Sequence, residues 1–526
     1  VPLEVLGYVP YRPVGKSHYQ PMPMIDVGEA VSNDLYLPSA MTVKALSKSV
    51  TKALDPLRSY EPEKYDKIFV YLRSRLASMW WGENVTPYDE AVALLNFEKS
   101  AGYPYYYDST DKAEALQKHG DEIQSEVSAV VTGEERWMPF SLTLKDELRT
   151  RERVAEEKTR GFSASGIVHL LASKMMFSKQ NDKLVSNFGK HPVTLGVSVP
   201  GPQFVRAVLS LGNQRNCYDA DGDGCDQRFN LGIARVIREL RKAFLSKNYH
   251  ACVDLLYDAV YAGDVIALGV VYRLLHNKSG WENTSHDNSL YMWGVLFEAV
   301  ESLSQREFED VCELLVNGDD LALSLNTENL SIKDLAEYLV GYGVRISYDV
   351  VAPRFSTDIT FLSHNLKPRF VPGFGDILVA AGNIEKLRSS LHWVRLSKSL
   401  TFEESCLAHL LGIRICLWPW RIDFLDVEET IDNFLSRVYL TENMSLLLRG
   451  RLSEVEILNL HLRLEGRVFE EISAFLPSLA HADEYGVEQV TTCLIKDLCV
   501  KKLQCKNSSR NLRRLSAQRR ANVIKL

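Results

Sequence analysis

The stretch Tyr218–Phe229, YDADGDGCDQRF, sets Asp219, Asp221, Asp223 and Asp226 within eight residues. Carboxylates this dense in one segment usually serve a cation, and two arrangements compete. In a calcium loop of the EF-hand kind, Asp219, Asp221 and Asp223 take alternating ligand positions and Gly224 supplies the sharp turn. The 219–230 match ends badly, because the closing position holds Asn230 rather than a bidentate Glu, and Asp226 stands where an apolar residue packs that loop. In the other arrangement a buried strand ends at Asp221 and presents it to a divalent cation, with Asp226 on the turn beyond. That arrangement requires carboxylates from elsewhere in the chain.

A second stretch offers them. In CELLVNGDDLALSL, Cys312–Leu325, two short apolar runs flank Asn317, Gly318, Asp319 and Asp320, which predicts a hairpin with two adjacent acids at its tip. Taken alone, such acids are turn formers in water. If the strands ending at Asp221 and Asp319 lie side by side, their carboxylates gather at one end of a sheet. Two divalent cations held there about 4 Å apart can activate an attacking hydroxyl and steady the leaving group of an in-line phosphoryl displacement.

The rest of the 526-residue chain suits this setting. Its length predicts two to four lobes or subdomains. With 46% hydrophobic and 25% charged residues it has a globular composition, and no apolar run reaches the length that crosses a bilayer. The opening VPLEVLGYVPYRP carries neither an initiator Met nor a secretory signal, as expected of a piece cut from a precursor. Nine cysteines from Cys217 to Cys505 form no CxxC pair, so neither a zinc site nor a disulfide framework is indicated and a reducing compartment is expected. The formal net charge is −7, yet the basic residues are grouped. LKDELRTRERVAEEKTR gathers Lys145, Arg149, Arg151, Arg153, Lys158 and Arg160, and the final KKLQCKNSSRNLRRLSAQRRANVIKL contains no acid. Helical periodicity marks MTVKALSKSVTKAL, LGIARVIRELRKAFL and, beyond Phe370, NIEKLRSSLHWVRLS, TFEESCLAHLLGIRICLW, VEETIDNFLSRVYL and LSEVEILNLHLRLEGRVFEEISAFL. GYVPYRPVGKS lacks the first Gly of a P-loop, and GFGDIL lacks the third Gly of a dinucleotide turn.

In order along the chain these pieces resemble the RNA-dependent RNA polymerases of positive-strand RNA viruses, in particular the picornavirus and calicivirus type. SAGYPY, Ser100–Tyr105, is similar to the template-entry motif, which assigns Ser100, Gly102, Tyr103 and Pro104 to the template path. KDELRTRERVAEEKTR places Lys145, Arg153, Lys158 and Arg160 on the cationic positions that bind the nucleoside triphosphate. Asp221 and Asp226 fit the first catalytic motif. Ser279, Gly280, Thr284 and Asn288 fit the second, with Ser279 and Gly280 against the template. Gly318, Asp319 and Asp320 fit the third. TFLSHN near Phe361 resembles the primer-grip hairpin, and LHWVRLSKSLTFEESCLAHLLG the start of a thumb.

The resemblance implies an α+β right-hand polymerase, with an antiparallel palm sheet and a mainly helical thumb. Fingers are expected at 1–178, palm at 179–227, a fingers insertion at 228–278, palm again at 279–369, thumb at 370–470, and an extension with a basic tail at 471–526. It further implies Asp221, Asp319 and Asp320 as catalytic metal ligands for Mg2+, or Mn2+, and Asp226, Asn288 and Thr284 in selection of the ribose. Template and nascent RNA, nucleoside triphosphates, a protein primer and other viral replication proteins are the implied partners, in membrane-associated complexes of the host cytoplasm. Asp219 and Asp223 are left as flanking acids. Two positions depart from the pattern. Val350 stands where a proton-donating Lys is expected, with Arg345 or Arg354 nearby, although Arg parts poorly with its proton. Asn317 stands where a Tyr is usual. A reverse transcriptase and a calcium-binding protein are the rival readings, and Asp226 with Asn288 speaks against the first.

Overall fold

The structure is a computed structural model, and it describes residues 4–22, 35–52, 62–82, 85–212, 214–222, 230–274, 277–371, 375–397 and 399–462. Asp223, Gly224 and Asp226 lie outside the described residues, as does the basic carboxy-terminal stretch.

A four-stranded antiparallel sheet carries the acids. Its order is Cys312–Asn317, Asp320–Leu325, Cys217–Gly222, Ile346–Ser347. Alternate residues leave opposite faces of a strand, and here both faces are covered. Tyr218, Ala220, Leu314, Val316, Leu321, Leu323 and Leu325 join the main core. Cys217, Leu315 and Ala322 join a second core with Phe204, Ile359, Phe361 and Leu366. This explains why LLV and LALSL read as continuous apolar runs rather than as alternation.

The helix Thr284–Ser304 runs through the main core. Every residue from Asp287 to Val300 is buried, as expected of a helix surrounded by other elements. Helices Pro62–Trp80, Ile167–Ser186, Leu231–Lys242 and His250–Tyr261 contribute to the same core. At its centre Arg241 is fully buried and donates to Asp287 (2.7 and 3.1 Å), to Asn181 (2.8 Å) and to Gln180 (3.2 Å), while Tyr257 donates to Asp287 (2.6 Å).

A second sheet orders Glu4–Tyr8, Val270–Arg273, Asp264–Ala267, Phe140–Leu144 and Gly161–Ala164. The carboxy-terminal part is helical, with Phe402–Leu417, Arg421–Leu435, Glu442–Arg449 and Glu454–Leu462. The first of these helices opens with a reciprocal Thr401–Glu404 capping box. Its apolar faces form a separate core with Met22, Leu391 and Val394. One helical expectation fails in part. NIEKLRSSLHWVRLS forms a helix only over Ile384–Ser390, and Trp393–Arg395 is a strand paired with Tyr19–Pro21. A partner more than 370 residues away decides that conformation, and no local window of sequence contains it.

Candidate active site

The three acids are brought to one end of the four-stranded sheet. Asp320 lies directly opposite Asp221 in the antiparallel register, which puts their side chains on one face, and Asn317 is opposite Asp320 across the hairpin. Gly318 and Asp319 link the two strands. Gly318 holds φ +66°, which the tight turns of antiparallel hairpins favour at the first linking position and which a side chain would resist. The Asp319 carbonyl accepts the Gly222 N–H (2.8 Å), locking the turn to the neighbouring strand end. Asp221 and Asp319 are exposed and Asp320 is half-buried. Burial and the adjacent Asp319 charge push the Asp320 carboxyl up to about 6, opposed by the Arg160 guanidinium.

The carboxylates held together at one sheet end repel one another, and their donors are all oxygens, the set that hard divalent cations take. The residue types therefore suit a hard divalent cation. Among the described residues no three His, Cys, Asp or Glu side chains are closed into a ligand set, so the acids are adjacent in register rather than already drawn in around one point.

Asp219 has a different task. It is ion-paired with Arg354 and accepts the Thr360 N–H (2.7 Å). It is a structural acid on the strand, consistent with its reading as a flanking residue. The calcium loop fails on the same facts: Asp219 and Asp221 belong to a strand, and Asn230, its closing position, caps the helix Leu231–Lys242 by accepting from Gly232 and Ile233. Arg354 is also removed as a substitute proton donor, being held by Asp219 and by the Asp358 carbonyl (3.1 Å).

The basic segment forms the strand Leu148–Thr150 and the short helix Arg151–Ala155. Lys145 and Arg160 meet at the end of the Phe140–Leu144 and Gly161–Ala164 pair, where the Lys145 N–H donates to the Arg160 carbonyl (2.8 Å). Lys145, Arg153, Lys158 and Arg160 are exposed, Lys145 and Lys158 beside Glu147 and Glu156. Arg149 stands among them half-buried; burial and the charges of Arg160 and Arg153 hold its pKa below the ordinary value.

Gly280 lies so close to the strand Gly161–Ala164 that a Cβ would stand 2.3 Å from the Ser163 carbonyl oxygen, and its own carbonyl accepts the Ser165 N–H (2.9 Å). Ser279 precedes it at the same edge. The Ser100–Pro104 segment reaches the next residues of that edge: Ala101 accepts the Ile167 N–H (2.8 Å), and a Cβ on Gly102 would meet Gly166 at 2.7 Å. Tyr103 packs edge-on against Trp137 (5.2 Å). Both template-assigned motifs thus converge on Ser163–Gly166, four residues that carry no motif of their own.

Thr284 begins the long helix, its hydroxyl closing the turn onto the Trp281 carbonyl (3.2 Å). Asn288 follows one turn later, with its Oδ1 accepting from Asn277 Nδ2 (3.0 Å). Three residues that contact these positions had no sequence signal. Asn277 orients Asn288. Thr194 receives the Asn317 side-chain amide (3.3 Å), the contact made by the residue that departs from the motif. Ser289 accepts the Gly318 N–H (2.7 Å).

Comparison with known proteins bears on the family of the chain. Genome polyprotein 1 of Barley yellow mosaic virus (isolate Germany) is 29% identical over 336 residues, 60% of this chain and 14% of the polyprotein. The genome polyprotein of Bean yellow mosaic virus is 27% identical over 288 residues, 53% of this chain and 9% of the polyprotein. That of Plum pox potyvirus (strain SK 68) is 24% identical over 389 residues, 72% and 12%. The chain thus spans a small fraction of these relatives, and none of the three is a picornavirus or calicivirus protein, so the narrower grouping read from motif order is not carried over. The sequence profile of viral RNA-dependent RNA polymerase matches residues 14–415, and with more than half its length inside that match the chain belongs to the viral RNA-dependent RNA polymerase family.

Proposed function

We propose that the chain synthesises RNA on an RNA template from nucleoside triphosphates by two-metal-ion nucleotidyl transfer, replicating the genome of a positive-strand RNA virus. The observation that carries this reading is Asp221 facing Asp320 across the sheet, with Asp319 on the turn that leads into Asp320, inside the family match. The right hand is assigned as fingers 1–178 and 228–278, palm 179–227 and 279–369, thumb 370–470 and an extension 471–526.

When bound, a pair of Mg2+ ions supplies activation of the attacking hydroxyl and charge neutralisation at the leaving group. Asp221 and Asp319 would hold them, with Asp320 in support. Lys145, Arg153, Lys158 and Arg160 neutralise and orient the triphosphate through charge-assisted hydrogen bonds. Asn288, held by Asn277 and acting with Asp226, reads the ribose 2′-hydroxyl, the group that separates RNA from DNA. Ser100, Gly102, Tyr103 and Pro104, with Ser279 and Gly280, guide the template along Ser163–Gly166. Template, nascent strand, a protein primer and other replication proteins are the partners in membrane-associated complexes of the host cytoplasm; no described helix is long and apolar enough to cross a membrane.

Primer extension on a defined RNA template with magnesium tests the assignment. Asp319→Ala should lower kcat by at least about 100-fold while template affinity stays unchanged. Equal extension by the variant and the parent sinks the reading, and replacing ribonucleotides by deoxyribonucleotides in the same assay separates it from reverse transcription.

A further inference from the structure

The turn that carries Asp319 is fastened to the helix that carries Asn288 by one hydroxyl. In a two-residue hairpin the amide of the first linking residue finds no acceptor within the hairpin, and a buried N–H needs one. The Gly318 N–H is buried and donates to Ser289 Oγ at 2.7 Å. The same hydroxyl donates to the Ser285 carbonyl at 2.7 Å, so its proton is committed along the helix and its lone pair is left facing the turn. Ser289 is completely buried. Its neighbour Asn288 is tied to Asn277, and Ser285 follows Thr284. The helical turn assigned to the ribose and the turn assigned to the metals therefore share a single atom.

We propose that Ser289 is a positioning residue: through Gly318 it sets where Asp319 stands relative to Asp221, and it couples that position to the ribose-reading turn of Thr284–Ser304. Asn317, on the other side of Gly318, is held by Thr194 (3.3 Å) and the Asp319 carbonyl by the Gly222 N–H (2.8 Å), so the hairpin tip is fixed to the Pro192–Thr194 segment, to the neighbouring strand end and to the helix. Removing the Ser289 hydroxyl frees only the attachment to the helix. The inference rests on the polymerase reading of the same site.

The test compares the parent chain with Ser289→Ala and Ser289→Thr, which keeps the hydroxyl. Three readouts are needed: Mn2+ binding to the protein without RNA, followed by electron paramagnetic resonance; kcat for primer extension; and thermal unfolding with template affinity. Ser289→Ala should weaken Mn2+ binding and lower kcat by about tenfold each, equivalent to about 1.4 kcal/mol, with melting temperature and template affinity little changed and with Ser289→Thr close to the parent. Amide exchange at Gly318 should accelerate in Ser289→Ala alone. Mn2+ affinity and kcat within twofold of the parent overturn the proposal, and so does a parallel loss of melting temperature, template affinity and turnover, which marks a purely structural role. If the methyl of Ser289→Thr is too large for the site and lowers its melting temperature, the comparison of Ser289→Ala with the parent decides. A parent chain that extends no primer overturns the polymerase reading, and the Mn2+ titration then decides the coupling by itself.

Discussion

Lys278 is an amine with almost no water around it. It immediately precedes Ser279 and Gly280, is fully buried, and donates to the carbonyls of Val260 (2.8 Å) and Leu274 (3.1 Å) beneath the Phe140 ring. Burial pushes its pKa down to about 7. The unfolded chain keeps this lysine protonated to about 10.4, so between these values the unfolded state binds more protons and stability rises with pH. Unfolding in urea at pH 7, 8 and 9 should show the parent gaining on Lys278→Met by up to about 1.4 kcal/mol per pH unit; parallel curves contradict it. The sequence disclosed the acids because their chemistry forces carboxylates onto strand ends and turns. Lys278, Asn277 and Ser289 were silent, since a Lys, an Asn or a Ser acquires its meaning only from what the fold places against it.

Among the elements, the helix Thr284–Ser304 depends on a polar contact inside an apolar core. Asp287 is completely buried, and burial raises its carboxyl against the opposing pull of Arg241. Arg241→Ala takes away the one cation paired with that carboxylate among the described residues and leaves Gln180 and Asn181 without their donor. The expected loss is about 3–5 kcal/mol by urea unfolding, whereas a double substitution of Arg241 and Asp287 by apolar residues should recover part of it. Elements with strong local signals were legible: the hairpin at Gly318, the helix at Leu231–Lys242, the capped helix at Phe402–Leu417. The strand Trp393–Arg395 was not, because its hydrogen bonds go to the amino-terminal segment. The short helix Arg151–Ala155 was equally hidden, in a run whose charges dominated its reading.

For the whole molecule, overall charge and local charge oppose one another. The chain carries −7 in total, yet Lys145, Arg153, Lys158 and Arg160 line one region with Arg160 reaching the field of Asp320. If these four residues contact phosphates, RNA affinity should fall steeply with salt despite the net negative charge. Replacing all four by Gln should flatten the plot of log affinity against log salt by about 3, at about 0.7 per phosphate on a single strand. A slope unchanged by the substitutions places the RNA elsewhere.

The pairing of Tyr19–Pro21 with Trp393–Arg395 also has a meaning in time. A ribosome must add more than 370 further residues before the partner of that early strand exists. At roughly 5–20 residues per second, that is on the order of 20–70 s during which the nascent edge stays unmatched. That pairing therefore waits for synthesis of the later strand, and the interval before it is when a chaperone has most to protect.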